Sequence, residues 1–246
     1  MQPLPGRRTL ITGGTRGLGL AIAVALAAEG DRVAITYAKN DQDAEEALQR
    51  IAQTGVMPRT YKGSVADAAS VNQIIGDLDA QWGGVDVLVN AAGLAQVLPV
   101  ALLEEADWDR VMDVNVKGAW LFSRAVLKKM IKAKRGHILN VGTFASERII
   151  EAPVHFAAAK SALRGMTEAM AREVGRYGIQ VNMLCPGLLD TGLGQMLPRA
   201  RVEEYLQRTP LKRLGTAAEL ARLAAFIVSS RNRFMSGAKI VADGGL

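Results

Sequence analysis

Short apolar bursts alternate with longer stretches in which apolar residues recur every three or four positions, from one end of the chain to the other. The bursts at Thr9–Thr12, Arg32–Tyr37, Met57–Lys62, Val85–Asn90, His137–Val141, Gln180–Cys185 and Lys239–Ala242 read as seven strands. The stretches near 17–29, 41–54, 67–82, 105–133, 156–177 and 216–229 read as helices. Short, mainly apolar strands alternating with helices predict an α/β fold. Its doubly wound parallel sheet would be covered by helices on both faces. No linker and no fixed-period repeat interrupts the pattern, so residues 1–246 are expected to form a single domain. Ligands bind such sheets at the carboxyl ends of the strands. Chemistry should therefore be sought just after each burst.

Composition agrees with a well-filled core: 49% of the 246 residues are apolar, 22% are charged, and the mean hydropathy is +0.11. The apolar run Leu20 to Ala28 is too short to span a bilayer, and Met1 to Gly6 lacks the apolar stretch of a signal peptide. One cysteine, Cys185, excludes an internal disulfide and suits a reducing, cytoplasmic setting. With only two histidines beside it, no metal site is expected. The formal charge is +6, with Lys128, Lys129, Lys132, Lys134 and Arg135 clustered and Arg172 and Arg176 as candidate neighbours. Such a face could meet an acidic carrier protein, phosphopantetheine or nucleic acid, or simply be solvated. No interleaving of basic and aromatic residues favours nucleic acid.

The first strand runs into Thr12-Gly-Gly-Thr-Arg-Gly-Leu-Gly19, which opens the first helix. Gly13, Gly17 and Gly19, with Thr15, Arg16 and Leu18 between them, would turn the chain tightly. Backbone N–H groups and the helix dipole would then face a pyrophosphate. Such a turn also has a purely structural use. A carboxylate after the second strand usually grips the ribose hydroxyls of NAD. Here that strand ends Thr36-Tyr-Ala-Lys-Asn40, with no acid before Asp41. Arg16 and Lys39 could instead pair with a 2′-phosphate, which favours NADP(H), unless both are ordinary surface cations.

The Gly-x3-Gly-x-Gly spacing together with Asn90-Ala-Ala-Gly93 resembles the short-chain dehydrogenase/reductase family, whose members have the Rossmann fold. The resemblance extends over nearly the whole chain. It implies that Asn90, Ala91 and Gly93 border the cofactor and that Asn115, in Asn-Val-Lys-Gly, holds a water of a proton relay. Pro186-Gly-Leu-Leu-Asp-Thr191 is similar to the segment carrying the nicotinamide amide, which implicates Pro186, Gly187, Leu189 and Thr191. Ser236 to Gly245 is similar to the family's last strand and its Asp-Gly-Gly tail. Within the family, Arg213-Leu-Gly-Thr-Ala-Ala-Glu219 most resembles the β-ketoacyl-(acyl carrier protein) reductases. Ser64, followed by Val65, stands where the family has an aspartate that contacts adenine. The resemblance also implies a homotetramer paired through the two long helices and the last strand. The apolar stripe Ala159, Leu163, Met166, Met170 and Val174 suits core or interface equally.

Two departures fall on the family's catalytic residues. Its Tyr-x-x-x-Lys reads Phe156-Ala-Ala-Ala-Lys160 here, and thirteen residues upstream its serine is Thr143. Thr143 keeps a hydroxyl that can donate to a carbonyl. Phe156 fills the tyrosine's volume with no proton to give. A positioned acid contributes about 10²–10⁴-fold. His155 is adjacent and could serve as the acid if the helix start bends, but neighbouring helical residues point about 100° apart, so the other reading is a surface or loop-packing histidine. Lys160, one turn on, would hold the ribose and could reach the substrate oxygen through the Asn115 water.

The resemblance thus implies an NADPH-dependent ketoreductase with an unconventional proton source. Its substrate would be a β-ketoacyl thioester on a carrier protein or a small polyketide-like ketone. The alternative is a catalytically impaired NADP(H)-binding subunit in a hetero-oligomer with a competent reductase. Thr191 to Pro210 would form a substrate lid. There Leu193, Met196, Leu197 and Tyr205 mix with Arg199, Arg201 and Arg208, suited to an apolar substrate with a polar or acidic handle.

Overall fold

The computed structural model describes residues 6–147, 152–192, 195 and 197–246. Seven strands, β1 Arg8–Thr12, β2 Arg32–Tyr37, β3 Arg59–Lys62, β4 Val87–Asn90, β5 Gly136–Val141, β6 Ile179–Pro186 and β7 Lys239–Ala242, form one sheet. Its order is β3-β2-β1-β4-β5-β6-β7, and every pairing is parallel. Strand order reverses between β1 and β4, the place where an open α/β sheet leaves a crevice at its carboxyl edge.

Successive strand residues feed opposite faces. Ile11, Val33, Ile35, Val87, Val89 and Leu139 pack under α1 (Gly17–Ala28), α2 (Asp41–Ala52) and α8 (Ala217–Ile227). Leu10, Ala34, Leu88, Ile138 and Val181 face α3 (Ala68–Trp82), α5 (Gly118–Ala133) and α6 (Val154–Val174). Thr216 caps α8 with a reciprocal Thr216–Glu219 box, and Arg213 pairs with the same glutamate at 2.7 Å.

The expected strands are all present. The single helix expected over 105–133 is instead two, α4 (Glu105–Met112) and α5, joined by a wider π turn over Asp113–Lys117. The Asn115 amide donates to the Val111 carbonyl at 2.9 Å, so a side chain enters the helical ladder at that turn. The 156–177 helix begins earlier, at Val154, and ends in a tight turn over Gly175–Tyr177. A further helix, α7 (Arg199–Arg208), lies inside the expected lid.

On β5, burial and the nearby Arg7 charge push His137 down to about 4. An unfolded chain takes up a proton near pH 6.5 that the folded chain refuses. This contribution to stability is full above about pH 6.5 and is lost as the pH falls toward about 4. Between about pH 7 and about pH 5 the native protein is expected to lose about 2 kcal/mol more than His137→Gln. Urea titrations of both proteins at the two pH values check this.

Candidate active site

The carboxyl ends of β1, β4, β5 and β6 bring together most of the residues singled out in the sequence. Between β1 and α1 the backbone of Gly13 sits at φ +65°, and an added Cβ would lie 2.7 Å from the Ala92 Cα. A Cβ on Gly19 would overlap the Gly13 carbonyl oxygen. The Thr12 hydroxyl accepts from the Ala91 and Ala92 N–H groups at 3.2 and 3.1 Å, holding the 90–93 loop against the glycine turn. Asn40 caps α2 and Asp67 caps α3, but α1 has no side-chain cap and no acid in its first turn. Its N–H groups are thus left for an outside anion.

Arg16 is largely exposed and stands 4.0 Å from Asp43, and Lys39 is exposed. Asp41, the first acid after β2, is committed to Lys62 at 2.7 Å and to the Tyr37 hydroxyl at 2.8 Å. These contacts, Lys62 first, hold its carboxyl below the usual range. Ser64 is exposed beside the start of α3, and Val65 is buried against Gly118. After β6 the chain folds back so that Thr191 Oγ1 lies 3.6 Å from where a Gly17 Cβ would be. Leu189 bridges to Gly215.

The Asn90 side chain turns away from the crevice. Its amide donates to Asn140 at 2.8 Å and to Ser123 at 3.1 Å, and Asn140 donates to Thr167 at 2.8 Å. The amide N–H donors are consumed in a buried polar chain, while Asn90 Oδ1 is buried with no partner among the described residues.

Thr143 follows β5, buried, its Oγ1 accepting a long bond from the Ala145 N–H at 3.4 Å. Phe156 sits in the first turn of α6, packed with Val111 and Ala159 against Leu94, Ala95, Met112 and Val116. One turn on, the buried Lys160 Nζ donates to the Val141 carbonyl at 2.9 Å and lies 5.7 Å from the Phe156 ring centroid. Burial pushes its ammonium down to about 8. The Asn115 amide donates to the Leu94 and Val111 carbonyls at 2.8 and 2.9 Å, while its Oδ1 is buried with no protein partner. A Cβ on Gly93 would lie 3.2 Å from that oxygen and 3.6 Å from Lys160 Nζ. Glycine there leaves a recess faced by both polar groups.

His155 is buried, and among the described residues neither ring nitrogen is hydrogen-bonded, which excludes a surface position and leaves the packing one. Cys185, which the sequence used only to exclude a disulfide, lies under the same strand end. Burial pushes its thiol up to about 11 while the Thr143 N–H donates to it. In the lid, Leu193 and Met196 fall outside the described residues. Arg199, Arg201 and Arg208 pair with Glu203 or Glu204 on α7 itself, so this helix turns its charge to solvent. Tyr205 has a larger part than its place in the lid implies: its hydroxyl donates to the Asp243 carbonyl at 3.0 Å and accepts from the Leu188 N–H at 3.1 Å. Its ring meets the edge of Phe144 at 5.5 Å. The signal in the sequence is the spacing of Val202, Tyr205 and Leu206, one half-buried face on a charged helix.

The basic cluster ends α5 just before β5 begins at Gly136, so it stands at the opposite edge of the sheet from Thr143. Six strand residues put about 20 Å between them. Among the described residues no helix is long and apolar enough to cross a membrane, and no group of His, Cys, Asp or Glu could hold a metal.

A parallel sheet with an anion-ready glycine turn at its switch point and a buried lysine at the end of β5 defines a dinucleotide-type oxidoreductase. Residues 13–246 match the family model described as enoyl-(acyl carrier protein) reductase, and the chain belongs to the short-chain dehydrogenase/reductase family. It is 32% identical over 240 residues to a 3-oxoacyl-(acyl-carrier-protein) reductase of Staphylococcus epidermidis, covering 98% of both chains. The corresponding Pseudomonas aeruginosa reductase is 33% identical over 243 residues, covering 99% of this chain and 98% of its own length. Among solved structures, a gluconate 5-dehydrogenase from Burkholderia cenocepacia in complex with NADP and tartrate superposes with TM-score 0.90 at 35% identity. That match covers 98% of this chain and 95% of the other. A double mutant of a Serratia marcescens short-chain dehydrogenase/reductase superposes with TM-score 0.92 at 32% identity, covering 99% and 98%.

Proposed function

We propose that this chain is an NADPH-dependent ketoreductase, acting on a β-ketoacyl thioester or a small polyketide-like ketone, whose proton comes from a group other than residue 156. One observation carries the reading. Buried Thr143 follows β5, and the buried Lys160 ammonium is held on the Val141 carbonyl at the end of the same strand, although the ring one turn before the lysine is a phenyl. When bound, the dinucleotide supplies a hydride to the carbonyl carbon. The turn through Gly13, Gly17 and Gly19 fits its pyrophosphate, because added Cβ atoms at Gly13 and Gly19 would meet backbone and α1 is uncapped. Arg16 and Lys39, with Asp41 committed elsewhere, suit a 2′-phosphate. Ser64, Val65, Ala91 and Gly93 would border the adenosine and ribose. Lys160 would hold the ribose, and Pro186, Gly187, Leu189 and Thr191 the amide end. Thr143 would hydrogen-bond the substrate carbonyl and polarise it.

The relatives named as reductases of carrier-bound 3-oxoacyl groups support the thioester as substrate. We also propose a homotetramer. The half-exposed Trp120 faces a groove lined by Met112, Val116 and Met166, an apolar surface suited to a second copy.

The deciding assay follows oxidation of NADPH and of NADH with a short β-ketoacyl thioester, for the native protein and Phe156→Tyr. Native turnover is expected with NADPH in preference to NADH. Phe156→Tyr should change kcat/KM by less than about tenfold, because another acid already acts. A native protein that binds NADPH yet stays silent, with turnover restored by tyrosine, would leave only the impaired subunit.

A further inference from the structure

Proton delivery needs an acid close to the substrate oxygen whose affinity for its proton suits neutral pH. Tyrosine is absent, His155 offers no bonded contact toward the Thr143 hydroxyl, and Asn115 does not ionise. The remaining group is Lys160. An ammonium has three donors, and the only hydrogen bond Lys160 makes among the described residues is to the Val141 carbonyl, two residues before Thr143. Its free side borders the recess at Gly93 that Asn115 Oδ1 also faces. A carboxylate pairing with the lysine would hold the proton tightly, and among the described residues none bears on it: the ionisable group that acts on it is the Cys185 thiol on β6. That thiol is held neutral by burial, with Glu147 after β5 and Lys239 on β7 behind it. Toward α4 and the π turn it meets the neutral Asn115, and along α6 the Phe156 ring.

Resting on the ketoreductase reading, we propose that the Lys160 ammonium is the general acid of this chain, giving its proton to the substrate's carbonyl oxygen directly or through one ordered water. Hydride from the nicotinamide forms the new C–H bond, and the carbonyl π pair moves onto oxygen. One N–H bond of Lys160 breaks as the O–H bond forms. The resulting neutral amine regains a proton from solvent. Burial has already brought the ammonium to about 8, low enough to give up its proton without a tyrosine. Lys160 then has two duties, holding the cofactor ribose and donating the proton.

The test is a cycle of Lys160→Arg and Phe156→Tyr, read by kcat/KM against pH with NADPH and a short β-ketoacyl thioester. A guanidinium keeps the charge but gives up no proton near neutrality. Lys160→Arg is expected to cost at least about a hundredfold in the native background. In the Phe156→Tyr background, where a phenol can act as acid, only the ribose contact is lost and the cost should be at least about tenfold smaller. The native profile should be level below pH about 8 and fall above it. Independently of turnover, ¹³C NMR of protein labelled at lysine Cε, its signal assigned by loss in Lys160→Met, should show this amine titrating near 8. Equal cost of Lys160→Arg in both backgrounds would mean that the lysine only positions the cofactor, and would overturn the proposal. So would an amine titrating like a solvent-exposed lysine, or activity lost in His155→Gln and kept in Lys160→Arg. If neither the native nor the Phe156→Tyr protein reduces the thioester, the ketoreductase reading falls as well.

Discussion

Gly19→Ala is expected to melt about 10 °C below the native protein and to lose more than about tenfold in NADPH affinity. The methyl has nowhere to go. It would overlap the Gly13 carbonyl oxygen and lie 3.1 and 3.3 Å from the Gly13 carbonyl carbon and the Gly14 Cα, all backbone atoms that cannot step aside. Either the turn opens or α1 backs away. Backing away is resisted because Leu20, Ile22, Ala23 and Leu26 are buried on α1, which packs on α8. Overpacking of this kind costs about 3 kcal/mol, and at this chain length each kcal/mol moves Tm by about 2–4 °C. Gly17 provides the contrast. Its φ is +55°, but a Cβ there meets only Thr191 at 3.6 Å. Gly17→Ala would bear only the strain of a left-handed residue, about 1–2 kcal/mol. Differential scanning calorimetry and fluorescence titration with NADPH separate the two. A Gly19→Ala protein melting within about 2 °C of native would contradict the close approach.

Asn140→Ala is expected to destabilise the protein by about 3 kcal/mol, with an unchanged fold by circular dichroism. Asn140 is the middle of the buried chain Asn90–Asn140–Thr167, whose last member donates to the Leu163 carbonyl at 2.8 Å. Truncation removes two side-chain hydrogen bonds, weakens the satisfaction of the buried Asn90 and Thr167, and leaves a cavity. The chain links β4, β5, α5 and α6, the elements that carry Gly93, Thr143 and Lys160. The loss should therefore also lower turnover at temperatures where the variant is fully folded. Urea denaturation measures the first effect and NADPH oxidation the second.

The sheet is legible because short, mainly apolar runs alternate with helical stretches, and its crevice because glycine is the residue that permits such a turn. Counting thirteen residues back from Phe156 reaches Thr143, since both ends of that interval lie at fixed places after β5 and at the start of α6. What escapes depends on contacts distant in sequence. Nothing in Asp113–Lys117 departs from helical spacing, so the π turn becomes visible only with the Asn115 amide on the Val111 carbonyl. Cys185 lies under Thr143 because β5 and β6 pair in parallel register. His155, which the sequence left open between surface and loop packing, is covered by the fold. The three lid arginines resemble a substrate clamp until α7 shows each one paired along its own helix.

The π turn also ties the interior to the exterior. A widened turn holds one residue more than the helical pitch requires, so everything after it is rotated by about 100° relative to a continuous α-helix. Asn115 lies within that turn, and Trp120 follows five residues later. Shortening the turn by one residue would regularise the ladder, withdraw the Asn115 oxygen from the recess and swing Trp120 away from the groove it now borders. The same extra residue therefore sets both the lining of the crevice and the face that α5 turns outward.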